Sequence, residues 1–405
     1  MALTKKQQLL YATVIELIYT GGPISRIDIS NHTGITPATV SEITGALIQS
    51  GLIHEIGESP THQKKSGRKK ILLSTLANHS YYLGVELSEK WITFLLTDNV
   101  GNVQQQEMIP LAMSHSETSL DHVFLLNELQ SFITQCEAYR ISAIGIAIPG
   151  HYNQDKKKID TNNVKWKHLD MAPIIDALNI PIYFENNVHC MTLSERLFNP
   201  SMTDNNFILF HVGRGMFSSY LYDGKLYGLD NFLVGEIGHL IVNPMGELCE
   251  CGRRGCLQTY SSESWIINKA SLLYDNSEHT YLRQLAPERQ LITIETVLQA
   301  YQMGDDGVIT ILNNAITYLA ITLNNIYMLI DSKKILLHGQ LFSEASLVEL
   351  LKETINSNQI LLDQVHPKEI LIKDYSIYNG AKAGCALAIS HTLFTIESWN
   401  KKRHD

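Results

Sequence analysis

The 405-residue chain has no run of eighteen consecutive apolar residues, and its amino terminus, Met1-Ala2-Leu3-Thr4-Lys5-Lys6, leads into a polar-interrupted helix pattern rather than a signal-peptide core. A soluble, cytoplasmic protein without membrane insertion is expected. Cysteine is sparse: there are six, and Cys136, Cys190 and Cys385 stand singly, which fits a reducing compartment better than a disulfide framework. Positive charge is also limited. The net charge is −9, and residues 1–75 hold eight Lys/Arg against five Asp/Glu, a balance of +3 that leaves −12 for the rest. A basic head on an acidic body confines nucleic-acid contact to the head. A chain of this length exceeds one ordinary core, so two or three domains are expected.

The other three cysteines are concentrated. Gly235-Glu236-Ile237-Gly238-His239 is followed by Cys249-Glu250-Cys251-Gly252-Arg253-Arg254-Gly255-Cys256, a C-x-C-x4-C spacing between glycines that packing alone does not require. Three thiolates and an imidazole select zinc, and four protein ligands make a closed structural site with no position for an activated water.

These residues resemble the signature of the ROK family, bacterial sugar kinases and sugar-responsive repressors with a two-lobed, actin-like sugar-kinase fold. The resemblance implies that His239, Cys249, Cys251 and Cys256 hold one structural zinc and that Glu236 contacts a sugar hydroxyl. A histidine has two ring nitrogens, so His239 can bind metal through one and face a ligand with the other.

Residues 5–20 place Leu10, Thr13, Val14, Leu17 and Ile18 on one helical stripe, ended by Gly21-Gly22-Pro23. A short helix marked by Ser25 follows, then a break at Thr33-Gly34-Ile35-Thr36. A third helix is capped by Thr36, with Pro37 at its first position and Val40, Ile43, Leu47 and Ile48 inward. This is a helix-turn-helix, with the third helix aimed at a major groove. Pro37, Ala38, Thr39, Ser41, Glu42 and Thr44 are mostly small and hydroxyl-bearing, suited to close approach to bases and phosphates, and Ser25 and Arg26 lie at the start of the preceding helix. Strand-like Leu52–Gly57, a polar loop and Ile71-Leu72-Leu73 form a winged hairpin whose loop carries Lys64, Lys65, Arg68, Lys69 and Lys70. Gly67-Arg68 resembles the family's G-R-P wing, with Lys69 in place of proline.

From residue 81 strands alternate with helices: Tyr81–Leu87, Trp91–Thr97, Ala143–Ile148 and Ile182–Phe184 read as strands and Leu120–Glu137 as a helix. A second set starts with Phe207–Val212 and Ser219–Tyr222, giving two α/β lobes with a cleft between. The expected domains are a winged helix-turn-helix over 1–78, a first lobe over 79–195, and a second lobe over 196–405 whose final helix returns to the first.

Further segments carry the resemblance. Gly145-Ile-Ala-Ile-Pro149-Gly150 resembles the G-x-x-x-P-G turn, Asn163-Val-Lys-Trp166 the sugar-contacting N-x-x-W segment, and Gly380-Ala-Lys-Ala-Gly384 the closing helix. Glu185-Asn186-Asn187 stands where the kinases have asparagine then aspartate, and an asparagine amide cannot accept the hydroxyl proton that phosphoryl transfer releases. The glycine-rich phosphate turn D-x-G-G-T corresponds to Glu86-Leu-Ser88-Glu89-Lys90, where carboxylates repel phosphate. The G-T-G segment reads Gly213-Arg214-Gly215, and a G-G pair reads His338-Gly339. No catalytic residues are therefore expected. The effector-facing set is Asn163, Asn186, Asn187, Glu236, His239 and Gln258, the last replacing a glutamate. The resemblance implies a sugar-responsive regulator, most simply a repressor, bound to operator DNA as a homodimer or tetramer and released by a sugar or sugar phosphate. A transport-system protein as inducer, an activator, and an active sugar kinase are the alternatives.

Overall fold

The computed structural model describes residues 3–58, 70–111, 120–161, 165–199, 202, 204–229, 231–358 and 369–395. Two compact units divide the chain, one of Met1–Thr203 with Ile377–Asp405 and one of Asp204–Ser376.

The first unit begins with α1 (Lys5–Gly21), where the Thr4 side chain accepts from the Gln7 backbone and Gln7 reaches back to the Thr4 backbone, a capping box. Strand β1 (Ile24–Ser25) leads into α2 (Arg26–Thr33), capped by Ser25 and closed by Gly34 at φ +70°. Thr36 then caps α3 (Pro37–Gln49). Strands β2 (Ile53–Glu58) and β3 (Ile71–Thr75) pair antiparallel as the wing, with β1 on the other edge of β3. The buried face of α1 is Gln8, Ala12, Val14, Ile15 and Ile18, wider than the expected stripe. A helix packed on α2 and α3 alone would hide one side; α1 also packs on helices of the following lobe.

That lobe is a five-stranded sheet built from β4 (Tyr81–Leu87), β5 (Trp91–Asp98), β6 (Val103–Pro110), β7 (Ile141–Ile148) and β10 (Ile182–Asn186) in the order β10-β7-β4-β5-β6. The first three strands are antiparallel neighbours, and β7 and β10 join parallel to β4. The edge strand β6, with its glutamines facing out, has too little apolar alternation to read as a strand in sequence. Helix α4 (His122–Gln135) buries Leu125, Leu129 and Phe132. A small hairpin of β8 (His151–Asn153) and β9 (Lys158–Asp160) and helix α5 (Ala172–Ala177) precede β10, which runs directly into α6 (Asn187–Phe198). The unit ends after α6 at residue 203, beyond the expected boundary at 195, because α6 continues to Phe198.

The second unit repeats the sheet plan. Strands β11 (Phe207–Val212), β12 (Met216–Tyr222) and β13 (Lys225–Leu226) are antiparallel, and β14 (Lys334–His338) and β15 (Glu369–Ile372) extend the sheet in parallel from β11. Between them lie α7 (Gln258–Ser261), α8 (Glu263–Asn276), α9 (Leu282–Leu285), α10 (Ile294–Gln302) and α11 (Asp306–Leu329), with α12 (Ala345–Ser357) after β14. Helix α11 is long and apolar enough to cross a membrane, but it buries Val308, Leu312, Ala315, Ile316, Leu319, Ala320, Leu323 and Ile326 in this unit's own core. That three-to-four spacing is the signature of a core helix.

The chain then returns to the first unit as α13 (Asn379–Leu393). A Cβ on Gly84 would collide with the Ala381 carbonyl, and one on Gly145 with that of Gly384, so these glycines let the α13 backbone lie directly on β4 and β7. Through α13 the core of the head joins that of the lobe: Val14, Ile15 and Ile18 share one cluster with Tyr82, Ala143, Cys385, Ala388 and Ile389.

Candidate functional site

In the second unit His239, Cys249, Cys251 and Cys256 bring one donor atom each within 4.8 Å of one another. Cys249 Sγ lies 3.7 Å from His239 Nδ1, and Cys251 Sγ lies 3.6 Å from Cys256 Sγ. A tetrahedral zinc with Zn–S bonds of about 2.3 Å has edges of ~3.8 Å, so the donor set and its spacing fit zinc. The backbone builds the knuckle: Cys249 N–H donates to Arg253 O, Gly252 turns at φ +85°, and Ile241 bridges Cys256. Gly255, at φ +69°, admits the Asn243 carbonyl where any Cβ would clash. Burial pushes the Cys256 thiol up to about 12 and raises Cys249, while Cys251 falls to about 6 because the Arg253 backbone and guanidinium outweigh its desolvation. A divalent metal bound here would displace the remaining thiol protons and tie two segments together.

His239 sits at the end of a 3-10 turn, Ile237–His239, that Glu236 precedes, both side chains half-buried. Gly235 at φ +96° packs against the Phe217 ring and the Ser218 carbonyl, which holds Glu236 against β12. Gln258, buried at the start of α7, donates to Cys249 Sγ at 3.3 Å and to Glu250 Oε1 at 3.0 Å. Its amide hydrogens are thus committed to the cluster. A glutamate there could not donate to the thiol, so the replacement supplies a hydrogen bond to a ligand sulfur.

In the first unit the carboxyl ends of β4 and β10 gather a second group. Glu86 is 8% exposed, and burial pushes its carboxyl up to about 7 despite the hydrogen bond from the Asn187 side chain. Asn186 uses both ends of its amide: Oδ1 caps α6 by accepting from Val188 and His189 N–H, and Nδ2 donates to Gly150 O at 3.2 Å. Glu185 accepts from its neighbour's backbone and pairs with His189 Nδ1 at 3.0 Å; these contacts outweigh desolvation and lower its carboxyl. Asn163 lies outside the described residues. Trp166, expected beside a sugar, is fully buried and donates Nε1 to Ser88 O, while Lys165 Nζ donates to Glu89 O. Ser88 Oγ donates to Trp91 O. The turn between β4 and β5 is therefore a closed hairpin whose carbonyls are held by side chains of its own unit.

On the head, Thr36, Pro37, Ala38, Ser41 and Glu42 are exposed along α3 and Thr39 is half-buried. Thr44 is a correction: it is fully buried, donates to Val40 O and accepts from Arg26 Nε at 2.9 Å, so it braces α2 against α3. Arg26 also pairs with Glu55 of the wing at 2.9 Å, and Ser25 is buried as the α2 cap. Both serve the packing of the head. Residue 44 falls on the inward side because it follows Val40 by one helical turn. Arg68 and Lys69 lie outside the described residues, while Lys70 pairs with Asp28 at 2.7 Å.

The family model for ROK matches residues 82–391, a span that takes in the two five-stranded sheets, the His239–Cys256 cluster and most of α13. The chain belongs to the ROK family. This ROK protein is 26% identical over 339 residues to the xylose repressor of Bacillus subtilis strain 168, covering 83% of each chain. It is 28% identical over 364 residues to the DNA-binding transcriptional dual regulator NagC of Escherichia coli K12, covering 87% of this chain and 86% of that one. Among solved structures, a ROK family transcriptional regulator that is a homolog of the E. coli MLC protein matches with a TM-score of 0.77 at 24% identity over 98% of both chains. A ROK glucokinase from Streptomyces griseus, in complex with glucose and AMPPNP, matches with a TM-score of 0.65 at 19% identity, over 76% of this chain and 99% of that one. The fold of the sheets is thus shared with ROK regulators and kinases alike.

Of the residues expected to face an effector, this ROK chain places Asn186 and Asn187 in the first unit and Glu236, His239 and Gln258 in the second. Sequence reasoning overlooked Glu86 as a partner of Asn187. The signal was present, since Glu86 occupies the aspartate position of the phosphate-turn motif, but only the fold shows its carboxyl turned inward onto α6 and α13. It also overlooked the pair His211 and His338, whose Nδ1 atoms lie 2.9 Å apart on neighbouring strands. Burial lowers His211 to about 4 and holds His338 well below the usual histidine range, so both rings are neutral.

Proposed function

We propose that the protein is a sugar-responsive, DNA-binding transcriptional repressor whose ROK body does not phosphorylate its effector. The observation that carries the proposal is a helix-turn-helix with an exposed small-residue face on α3, joined by a continuous core to a ROK lobe that has Asn187 at the kinase base position. The names of the xylose repressor and NagC relatives support the same reading. α3 enters the major groove, and Lys and Arg of the wing neutralise phosphates. A homodimer presents two such helices about 34–36 Å apart. His239, Cys249, Cys251 and Cys256 hold a structural zinc, which keeps the segment carrying Glu236 in shape. Within the second unit Glu236 offers a hydroxyl-binding carboxylate, and within the first unit Asn187 offers a half-buried amide.

Release is a population shift. To move the operator-bound form from 99:1 to 1:99, the effector must prefer the released form by about 5.5 kcal/mol, which several hydroxyl bonds made in only one state supply. Kinase chemistry is disfavoured because Asn187 accepts no proton and the β4–β5 turn is closed by its own side chains. The test is a duplex selected from a random pool by the protein, its affinity then measured with D-xylose, glucose, N-acetylglucosamine and the 6-phosphates of the hexoses. Failure to select any sequence ends the DNA-binding reading; selection with no response to any sugar moves a protein inducer ahead of a small effector.

A further inference from the structure

Two helices of the first unit begin at one buried carboxyl and end at one helix of the head. At their amino ends, Glu86 bonds to the side chain of Asn187, the first residue of α6, and packs so tightly on Gly380, the second residue of α13, that any side chain there would collide with its carboxyl. At their carboxyl ends, Arg196 of α6 donates to Glu16 of α1 at 2.6 Å, with the two side chains 14% and 32% exposed. Phe394, directly after α13, meets the Tyr19 ring of α1 edge-on at 5.3 Å, and Asn99 after β5 donates to the Tyr19 hydroxyl at 3.0 Å.

Between these ends α6 spans roughly 18 Å and α13 roughly 22 Å at 1.5 Å per residue. The helices pack along each other, and Ala388, Ile389 and Leu393 of α13 share one cluster with Val14, Ile15 and Ile18 of α1, against which Leu197 and Phe198 of α6 also pack. Close-packed elements shift as blocks rather than deform. Apolar contact and the Asn99–Tyr19 hydrogen bond hold the head against the lobe, and the ion pair between Arg196 and Glu16 adds a charged, directional link from α6 to α1.

We propose that α6 and α13 form one lever in which Glu86 is the positioning residue at the input end and the Arg196–Glu16 pair is the attachment to the DNA-binding head. The proposal rests on the DNA-binding reading above. A hydroxyl ligand that takes the Asn187 amide from Glu86 frees the α6 end, and the pair carries the change to α1, which packs on α2 and α3.

The test needs no knowledge of the effector. Full-length, zinc-loaded protein is titrated onto the duplex that the wild type selects, for Glu86→Leu, Arg196→Met and the double variant, at one salt concentration and pH. Independent sites more than about 10 Å apart combine additively to within about twofold. The lever predicts that Glu86→Leu, which fills the same space but removes the acceptor for Asn187, changes operator affinity about tenfold in the wild-type background, within the usual range of coupling between sites. With Arg196→Met present the same change falls below about twofold, and Arg196→Lys restores it. Equal effects in both backgrounds overturn the lever, as does an unchanged affinity in Glu86→Leu. If Arg196→Met unfolds the head, Glu16→Gln removes the same pair from its more exposed side and takes its place. A wild type that selects no duplex refutes the DNA-binding reading and the lever with it, a result distinct from an additive cycle.

Discussion

Replacing Glu86 by glutamine tests whether the carboxyl at the end of β4 is buried as a neutral acid. Its pKa is raised from 4.5 to about 7, first by burial, against the opposing hydrogen bond from Asn187. The native state therefore binds this proton more tightly than the unfolded chain. The stability it contributes is fully present below about pH 4.5 and is lost as pH rises through about 7. A shift of about 2.5 units at 1.36 kcal/mol each amounts to ~3 kcal/mol between those limits. Glutamine keeps the shape and the acceptor for Asn187 but carries no charge at any pH. The difference in unfolding free energy between Glu86→Gln and wild type, from urea titrations at pH 5, 6, 7 and 8, is thus expected to move in favour of the variant by ~2–3 kcal/mol toward pH 8. Groups remote from residue 86, including the cysteine cluster of the second unit, cancel in the difference, and Cys190, whose thiol burial already holds well above its usual range, stays protonated throughout. Exchange rates of β4 and β7 amides assign the effect to the first unit. A gap that stays constant with pH, or that turns against the variant above pH 7, refutes the assignment of a buried neutral carboxyl.

Three further outcomes follow from the geometry. Chelation, or Cys249→Ser, is expected to release one zinc per chain and lower the thermal midpoint of the second unit, as read by metal analysis and calorimetry; full stability without metal would contradict the structural role. Thr44→Val should destabilise by about 1–3 kcal/mol, because it leaves the Arg26 guanidinium without its buried acceptor, while operator sequence preference stays unchanged in a selection experiment. Asn187→Asp should yield no ATP-dependent sugar phosphorylation, and it should destabilise above pH 7, where two adjacent carboxyls share one site; phosphorylated sugar in a coupled assay would overturn the view that the phosphate turn is closed as well.

Much of the fold was legible because local signals agreed with it. Ser25 and Thr36 each precede a helix and cap it, Gly34 ends α2, and the apolar runs of β4, β7 and β11 are largely buried strands that each take part in parallel pairing. The Gln-rich β6 was not legible, since an exposed edge strand needs no apolar face. The gathering of His239 and the three cysteines, a set that could hold a metal ion, was the clearest juxtaposition, because they lie close in sequence and one short hairpin brings them together. Thr44 misled because the helical stripe of α3 was read from apolar residues alone, and a buried threonine that satisfies an arginine carries no hydrophobic signal.

Residue chemistry and spacing along the chain determined which side chains form a metal-type cluster, where the three amino-terminal helices begin and end, and that residue 187 lacks a carboxylate. These follow from local order, where neighbours in sequence are neighbours in space. Only the tertiary structure decided where those groups point. Gln258 turns its amide onto Cys249, Trp166 and Lys165 close the β4–β5 turn, and Glu86 sits beneath the start of both α6 and α13. The same holds for Arg196 and Glu16, 180 residues apart, which meet because α6 and α13 pack as a pair against α1. Such pairings depend on packing between elements distant in sequence, where the free energy of burial selects the partner.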